Sequence, residues 1–242
     1  MHLLAFELST EACSVAVWAD GAVVDRHEIA PRRHAELALP WAEALLAEAG
    51  VAKSQLDAIS VGRGPGAFTG VRLGISIAQG IALALDRPIV PVSTLAALAM
   101  RAVPAGAGEG AQVLAAIDAR MREVYAARFR FDAAGAGVWP EALDAECVRP
   151  PADVALPAAE RGWFGVGTGF AAEQGALRDR MGDRLRVCDP AALPHAADVA
   201  RIAAIAMSRG GAVAPDRVEP AYLRNNVALT IVEQQALRER RG

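Results

Sequence analysis

The segment Gly62–Leu85 limits the fold more than any other part of the chain. It joins a glycine-rich turn, Gly62-Arg63-Gly64-Pro65-Gly66, to a helix predicted over Thr69–Leu85 that is apolar almost all the way round. Such a helix has to be buried on more than one side. Gly70, Gly74, Ala78 and Ala82 recur every four residues and define a face of small side chains that another helix can approach closely. Leu73, Ile77 and Ile81 lie on a neighbouring face, continued by Ala84 and Leu85. One side can lie on a sheet of the same domain. The other needs a cover, either an internal helix or a partner. A helix predicted over Ala35–Ala49 offers half of an internal cover. If both helices share an exposed apolar surface instead, that surface is an interface.

The Ala35–Ala49 helix is read from Leu37, Trp41, Leu45 and Ala49 at four-residue spacing, widened by Leu39 and Leu46 and ended by Gly50. Ahead of it, Leu3–Leu8, Ser14–Ala19 and Ala22–Ile29 read as strands, with Asp20-Gly21 as a hairpin turn. Leu56–Val61 is a short strand that enters the glycine turn. Asp86-Arg87-Pro88 stops the long helix, Ile89–Val92 is a strand and Thr94–Val103 a helix. Three antiparallel strands followed by alternating helices and strands make a mixed-sheet α/β unit.

Pro104–Gly110 reads as a linker, after which the order restarts. Val113–Ile117 and Val124–Phe131 are predicted strands, followed by an Ala-Gly turn at Ala133–Gly137. Trp163–Val166 leads into Gly167-Thr168-Gly169 and a helix at Ala171–Met181. Arg184–Val187 is a strand and Ala197–Ser208 a helix. Ala5-Phe6-Glu7 matches Ala116-Ile117-Asp118, and Val61-Gly62-Arg63-Gly64 matches Val166-Gly167-Thr168-Gly169. Two matched features in the same order predict a duplicated α/β unit. The expected division is residues 1–103 as a first subdomain carrying the two helices, 104–215 as a second, and 216–242 as a tail able to pack back on the first.

A chain of 242 residues suffices for such a pair. Hydrophobic residues make up 53% but aromatics only 5%, so alanine, valine and leucine must fill the core. The net charge of −3 speaks against a protein that grips nucleic acid unaided. The basic end, Arg238, Arg240 and Arg241, reads as a solvated terminus. The start lacks a basic region and meets Glu7 at once, and no uninterrupted apolar run reaches the roughly 20 residues of a membrane span. A soluble cytoplasmic protein is expected. Cys13, Cys147 and Cys188 form no CxxC pair and read as reduced core cysteines.

The glycine loop could bring backbone N–H groups to a phosphate, with the dipole of the following helix behind them. A P-loop, however, needs Lys-Ser or Lys-Thr after its last glycine, and here Gly70 is followed by Val71-Arg72. A structural turn and a phosphate contact both stay open, the contact through Gly64, Gly66 and Thr69. Glu7 and Asp118 could hold a metal or activate a water between the halves, and carboxylates at strand ends are equally ordinary turn formers. His2, His27, His34 and His195 form no HxxxH or HExxH, so no metal site is predicted. No Gly-x-Ser-x-Gly elbow is present.

Four blocks resemble the bacterial TsaB family, also called YeaZ. They are Leu8-Ser9-Thr10-Glu11-Ala12-Cys13-Ser14-Val15-Ala16, Gly62 through Arg72, Ala115-Ala116-Ile117-Asp118-Ala119-Arg120-Met121, and Pro220-Ala221-Tyr222-Leu223-Arg224-Asn225-Asn226-Val227-Ala228. The resemblance implies an actin-like, ribonuclease-H-like fold of two related α/β subdomains, each a mixed sheet flanked by helices. It implies a non-catalytic subunit that partners the catalytic subunit TsaD and, with TsaE, serves transfer of threonylcarbamoyl to the adenosine next to the anticodon of tRNAs reading ANN codons. TsaD carries a metal-binding HxxxH that this chain lacks. ATP and a divalent metal would be used by the complex and held tightly by none of this chain's residues, with tRNA reached indirectly. In the family, the first two helices of the N-terminal subdomain contact TsaD, or a second copy when TsaD is absent. That implies an interface of His34, Leu37, Trp41, Leu45, Val71, Gly74, Ile75, Ala78 and Ala82. Glu7 stands where the family usually has Asp, and Ala67 where it has Ser, and both departures weaken nucleotide binding within this chain.

The leading expectation is therefore a scaffold and activating subunit of the tRNA-modifying complex. A competing one is an ATP-binding phosphotransferase or hydrolase of the actin-like fold, motivated by the glycine loop and the Glu7/Asp118 pair. A metallopeptidase fits distant kin of the family and is opposed by the missing ligands.

Overall fold

The computed structural model describes residues 1–134, 137–156 and 161–224. Strands β1 (His2–Glu7), β2 (Ala12–Ala19) and β3 (Ala22–Ile29) form an antiparallel meander. Asp20 and Gly21 both have positive φ, as the two-residue hairpin turn requires. Helix α1 (His34–Glu48), β4 (Ala58–Gly62), α2 (Phe68–Leu85) and β5 (Ile89–Val92) follow, with β4 and β5 parallel to β1. The sheet order is β3-β2-β1-β4-β5.

After α3 (Thr94–Ala99) and a 3-10 turn (Met100–Ala105) the same path is repeated. Strands β6 (Gln112–Arg120), β7 (Glu123–Ala134) and β8 (Gly137–Ala142) are antiparallel, and β10 (Trp163–Val166) and β11 (Leu185–Asp189) run parallel to β6. The second sheet reads β8-β7-β6-β10-β11, and β9 (Cys147–Arg149) adds to the end of β7. Residues 225–242, which include Arg238, Arg240, Arg241 and the last part of the fourth motif block, lie outside the described residues. So does the middle of the Ala133–Gly137 turn.

Strand alternation divides the first core. Leu4, Phe6 and Leu8 join Val15, Val17, Ile59 and Val61 on one face, under α1 and α2. Leu3, Ala5, Ala16, Ala58, Val90 and Val92 face the other way, toward α5 (Ala196–Ser208). Helix α3 comes from the first half of the chain yet packs on β6, β7 and β8. The layer between the sheets is thus built of α3 and α5, each lying on the sheet of the other half.

Helix α2 lies on its own sheet through the small face. A Cβ at Gly70 would sit 2.0 Å from the Leu8 carbonyl oxygen, and Gly74, Ala78 and Ala82 are buried behind it. By length and composition α2 is the one described helix apolar enough to cross a membrane, but its packed face belongs to the core.

One predicted element differs and two strands are additional. The helix expected over Ala171–Met181 is one 3-10 turn (Ala172–Gly175) and a short α4 (Ala176–Met181). Glu173, Gln174 and Gly175 adopt left-handed φ there, while Phe170 is wholly buried and Gly169 lies against Ala116. Tertiary packing overrides a weak helix preference. Strands β8 and β9 have no counterpart in the prediction. Their residues alternate too little to stand out, and pairing with β7 makes them strands.

The seam beside α5 is polar. The buried Asp198 carboxylate pairs with Arg101 at 3.1 Å and Arg201 at 2.8 Å. His27 on β3 stacks on His195 with ring centroids 3.7 Å apart. Burial, then the Arg101, His27 and Arg201 charges, push His195 down to about 3 from an ordinary 6.5. His27 is lowered too, chiefly by burial.

Replacing Gly70 with alanine is expected to cost about 2–4 kcal/mol in denaturant unfolding, because the helix must lift from β1. The seam gives a pH dependence. A depressed histidine contributes stability that is complete above the unfolded value of 6.5 and is lost as pH falls toward 3. His195→Phe, which keeps the stacked ring, should flatten the loss of stability below pH 6.5 in unfolding curves taken at falling pH. Burial raises Glu7 and Asp198, a contribution of opposite sign that the variant leaves in place.

Candidate functional site

A cleft of about 1010 Å3 opens between the halves. Its walls are Ser9–Glu11, Gly66–Val71, Asp118–Met121, Thr168 and Pro220–Arg224, with Arg32, His34 and Tyr125 among further lining residues. The chain reaches the cleft a last time through residues after α5. Val213 bridges to Ile89, Val218 is buried in the first core, and the Ala221 N–H donates to Arg63 O.

Of the candidate phosphate residues, Gly66, Thr69 and Asp118 line this cleft, and Glu7 and Gly64 do not. Glu7 is 1% exposed and faces inward. Its carboxylate accepts the Ser9 N–H at 2.8 Å, the Ser9 hydroxyl, and the Thr94 hydroxyl at 3.1 Å. A Cβ at Gly62 would lie 1.9 Å from Glu7 Oε2, so the glycine there makes room for the acid. The Gly64 N–H donates to Thr94 Oγ1 at 3.2 Å. Glu7 is thus a buried brace between β1, the glycine loop and α3, which corrects the expectation that it shares a cleft with Asp118.

The loop uses up several of its own donors. Arg63 N donates to Val92 O, and Ala67 N to Ser9 O at 2.7 Å. Ala67 occupies the N-cap of α2 and gives no side-chain cap. Asp118 accepts Arg120 N at 2.8 Å and Arg120 Nη1 at 2.9 Å, and its own N–H donates to Thr168 Oγ1. Among the described residues no group of three metal-ligating side chains occurs, and the three cysteines are free.

The expected interface residues separate into two sets. Leu45, Val71, Gly74, Ile75, Ala78 and Ala82 are buried in the chain's own core, Val71 also reaching the cleft wall. This corrects their placement at an interface: the helix turns its small face to the sheet, with Gly70 on the Leu8 carbonyl and Gly74 against Val61. Leu37 and Trp41 are half-buried. His34, also half-buried, lines the cleft, its Nε2 within 3.0 and 3.1 Å of the Thr10 and Ala12 carbonyl oxygens. The surface of α2 carries a different stripe, Ser76, Gly80 and Ala84, all exposed, flanked by half-buried Leu73, Ile77 and Ile81 and by Leu83 at 68% exposure. A Cβ at Gly80 would meet nothing within 4 Å. Positions 76, 80 and 84 repeat every four residues just as 70, 74, 78 and 82 do. Spacing alone does not tell which stripe faces the sheet.

Two α/β subdomains with one strand path repeated around a shared cleft define the actin-like class of proteins. The family model described as "TsaD: tRNA N6-adenosine threonylcarbamoyltransferase" matches residues 26–230. The tRNA threonylcarbamoyladenosine biosynthesis protein TsaB of Escherichia coli is 41% identical over 235 residues, covering 94% of this chain and 96% of that protein. The Haemophilus influenzae protein of the same name is 38% identical, covering 94% and 95%. The solved structure of YeaZ from Pseudomonas aeruginosa is 45% identical with a TM-score of 0.80, covering 92% of this chain and 99% of that one. The chain belongs to the TsaB family, also called YeaZ.

Removing the brace tests its role. Glu7→Ala strands the Ser9 and Thr94 donors and is expected to cost about 3 kcal/mol of stability. Asp118→Ala, at a partly exposed turn, should cost under about 1 kcal/mol. Paired unfolding curves decide between a structural Glu7 and a catalytic one that could be removed without loss of stability.

Proposed function

We propose that this chain is the non-catalytic scaffold and activating subunit of a tRNA threonylcarbamoyladenosine-forming complex, binding a TsaD-type transferase together with TsaE in the cytoplasm. The outward stripe of α2 carries this reading. Ser76, Gly80 and Ala84 form a shallow groove between Ile77, Ile81 and Leu83, and a partner helix can seat there at close range. Leu37 and Trp41 on α1 cover the same core and extend the apolar surface. The internal commitment of Glu7 supports a subunit without its own catalytic acid. On this reading ATP and a divalent metal are used by the assembled complex. A second copy of this chain takes the same groove when the transferase is absent.

An actin-like ATPase remains the second reading, favoured by the size of the cleft and the uncapped start of α2. Magnesium-ATP titration separates the two. Tight binding by the isolated chain, abolished in Asp118→Ala, supports the ATPase.

The scaffold is tested at Gly80. Gly80→Leu places a bulky group in open space, so the monomer should keep its fold and gain up to about 1 kcal/mol of helix preference. Association with the TsaD-type subunit, measured by titration calorimetry, should weaken by about 30-fold or more, the size of an interface hot spot. Parental affinity in Gly80→Leu and Leu83→Glu would remove the groove from the interface.

A further inference from the structure

Two exposed clusters flank the mouth of the cleft; one of them, Phe68 and Arg72, continues the row of Ser76, Gly80 and Ala84 to the start of α2. On one lip, the Arg72 guanidinium lies 3.6 Å from the centroid of the Phe68 ring, and its Nε donates to the Tyr222 hydroxyl at 2.6 Å. The two rings are 6.0 Å apart, and Phe68 and Tyr222 are 57% and 51% exposed. Among the described residues Arg72 has no carboxylate partner.

The other lip is the turn between β6 and β7. Arg120, Met121 and Arg122 have φ of 61, 54 and 62°, three successive left-handed residues with no glycine or asparagine among them. An L-residue is unfavourable there, so this backbone has to be held. Asp118 holds one side through the Arg120 N–H and guanidinium. Arg224 holds the other, through Ala119 O at 3.1 Å and Met121 Sδ at 3.5 Å. The braced turn presents the Arg120 and Arg122 side chains to solvent, 82% and 86% exposed, Arg120 paired with Asp118 at 2.9 Å and Arg122 with Glu173 at 4.0 Å. Tyr222 and Arg224 are two residues apart, so one short segment, with Cα atoms within about 7 Å of each other, touches both lips.

Exposed aromatic faces interleaved with guanidinium groups suit unpaired bases and the phosphates that join them. Aromatic rings beside arginine also suit protein contacts, so the outcomes below separate the two. Asp118, one of the two carboxylates lining the cleft, is already neutralised by Arg120; the other is Glu11.

We infer that the two lips bind a single-stranded RNA segment, with bases stacked on Phe68 and Tyr222 and phosphates held by Arg72 and Arg122, Arg120 being spent on Asp118. The inference rests on the reading of the chain as a tRNA-modification subunit. It replaces indirect contact with tRNA by direct contact. A local patch of this kind is compatible with a net charge of −3, because only a few phosphates are neutralised.

The test is fluorescence anisotropy with a short RNA hairpin bearing an unpaired loop, and with a blunt RNA duplex of equal length. The full chain is used alone and assembled with the transferase subunit. The hairpin should bind more tightly than the duplex. Phe68→Ala should weaken hairpin binding about tenfold, the effect of one lost stack. Arg122→Gln, at a largely exposed position, should weaken it and lower the salt slope by roughly one. Equal binding of hairpin and duplex, no hairpin binding, or parental affinity in both variants overturns the inference. So does loss of the transferase subunit in the variants with RNA affinity unchanged, which makes the lips a protein contact. If Gly80→Leu leaves assembly intact while hairpin binding still depends on Phe68, the groove assignment falls and the RNA site stands.

Discussion

Helix α2 lies so close to the chain leaving β1 that a Cβ at position 70 would stand 2.0 Å from the Leu8 carbonyl oxygen. That contact sets the rotation of the helix about its own axis. With Gly70 pressed on the strand, Gly74, Ala78 and Ala82 follow into the core, and Ser76, Gly80 and Ala84 have to face outward. The glycine loop ahead of the helix is part of the same arrangement. Gly62 leaves room for the Glu7 carboxylate, and Glu7 ties Ser9 and Thr94 to the loop, so strand, loop and helix are locked before any ligand enters.

The repeated strand path explains the cleft. Each half ends its central strand in a carboxylate and answers it with a glycine turn, yet the two carboxylates have parted in role. Glu7 is sealed inside by hydroxyl and N–H donors. Asp118 stays at the surface and braces the strained turn of Arg120–Arg122. Helices α3 and α5 lie between the sheets, and the Asp198 ion pairs and the His27–His195 stack fasten the seam beside α5.

Much of this was legible in the residues. The Asp20-Gly21 hairpin, the glycine-to-helix passage, the restart after residue 104 and the matched Glu7 and Asp118 triplets lead to a duplicated α/β fold without coordinates. The short strands β8 and β9 were not legible, because pairing with β7 rather than their own pattern makes them strands. The broken helix before Met181 was hidden for a similar reason: burial of Phe170 decides against local preference. The Arg72 cluster joins residues 150 positions apart, and no local pattern announces that.

Periodicity, turn chemistry and residue inventory are local properties, so the fold class, the family, the all-round apolar helix and the lack of histidine metal motifs can be read from the residues alone. Which face of that helix is core and which is surface depends on long-range packing. Two stripes of small residues run along α2 with the same four-residue spacing. The backbone of β1, brought in from sixty residues earlier, selects one of them by steric exclusion, and the other becomes the face the protein has to offer.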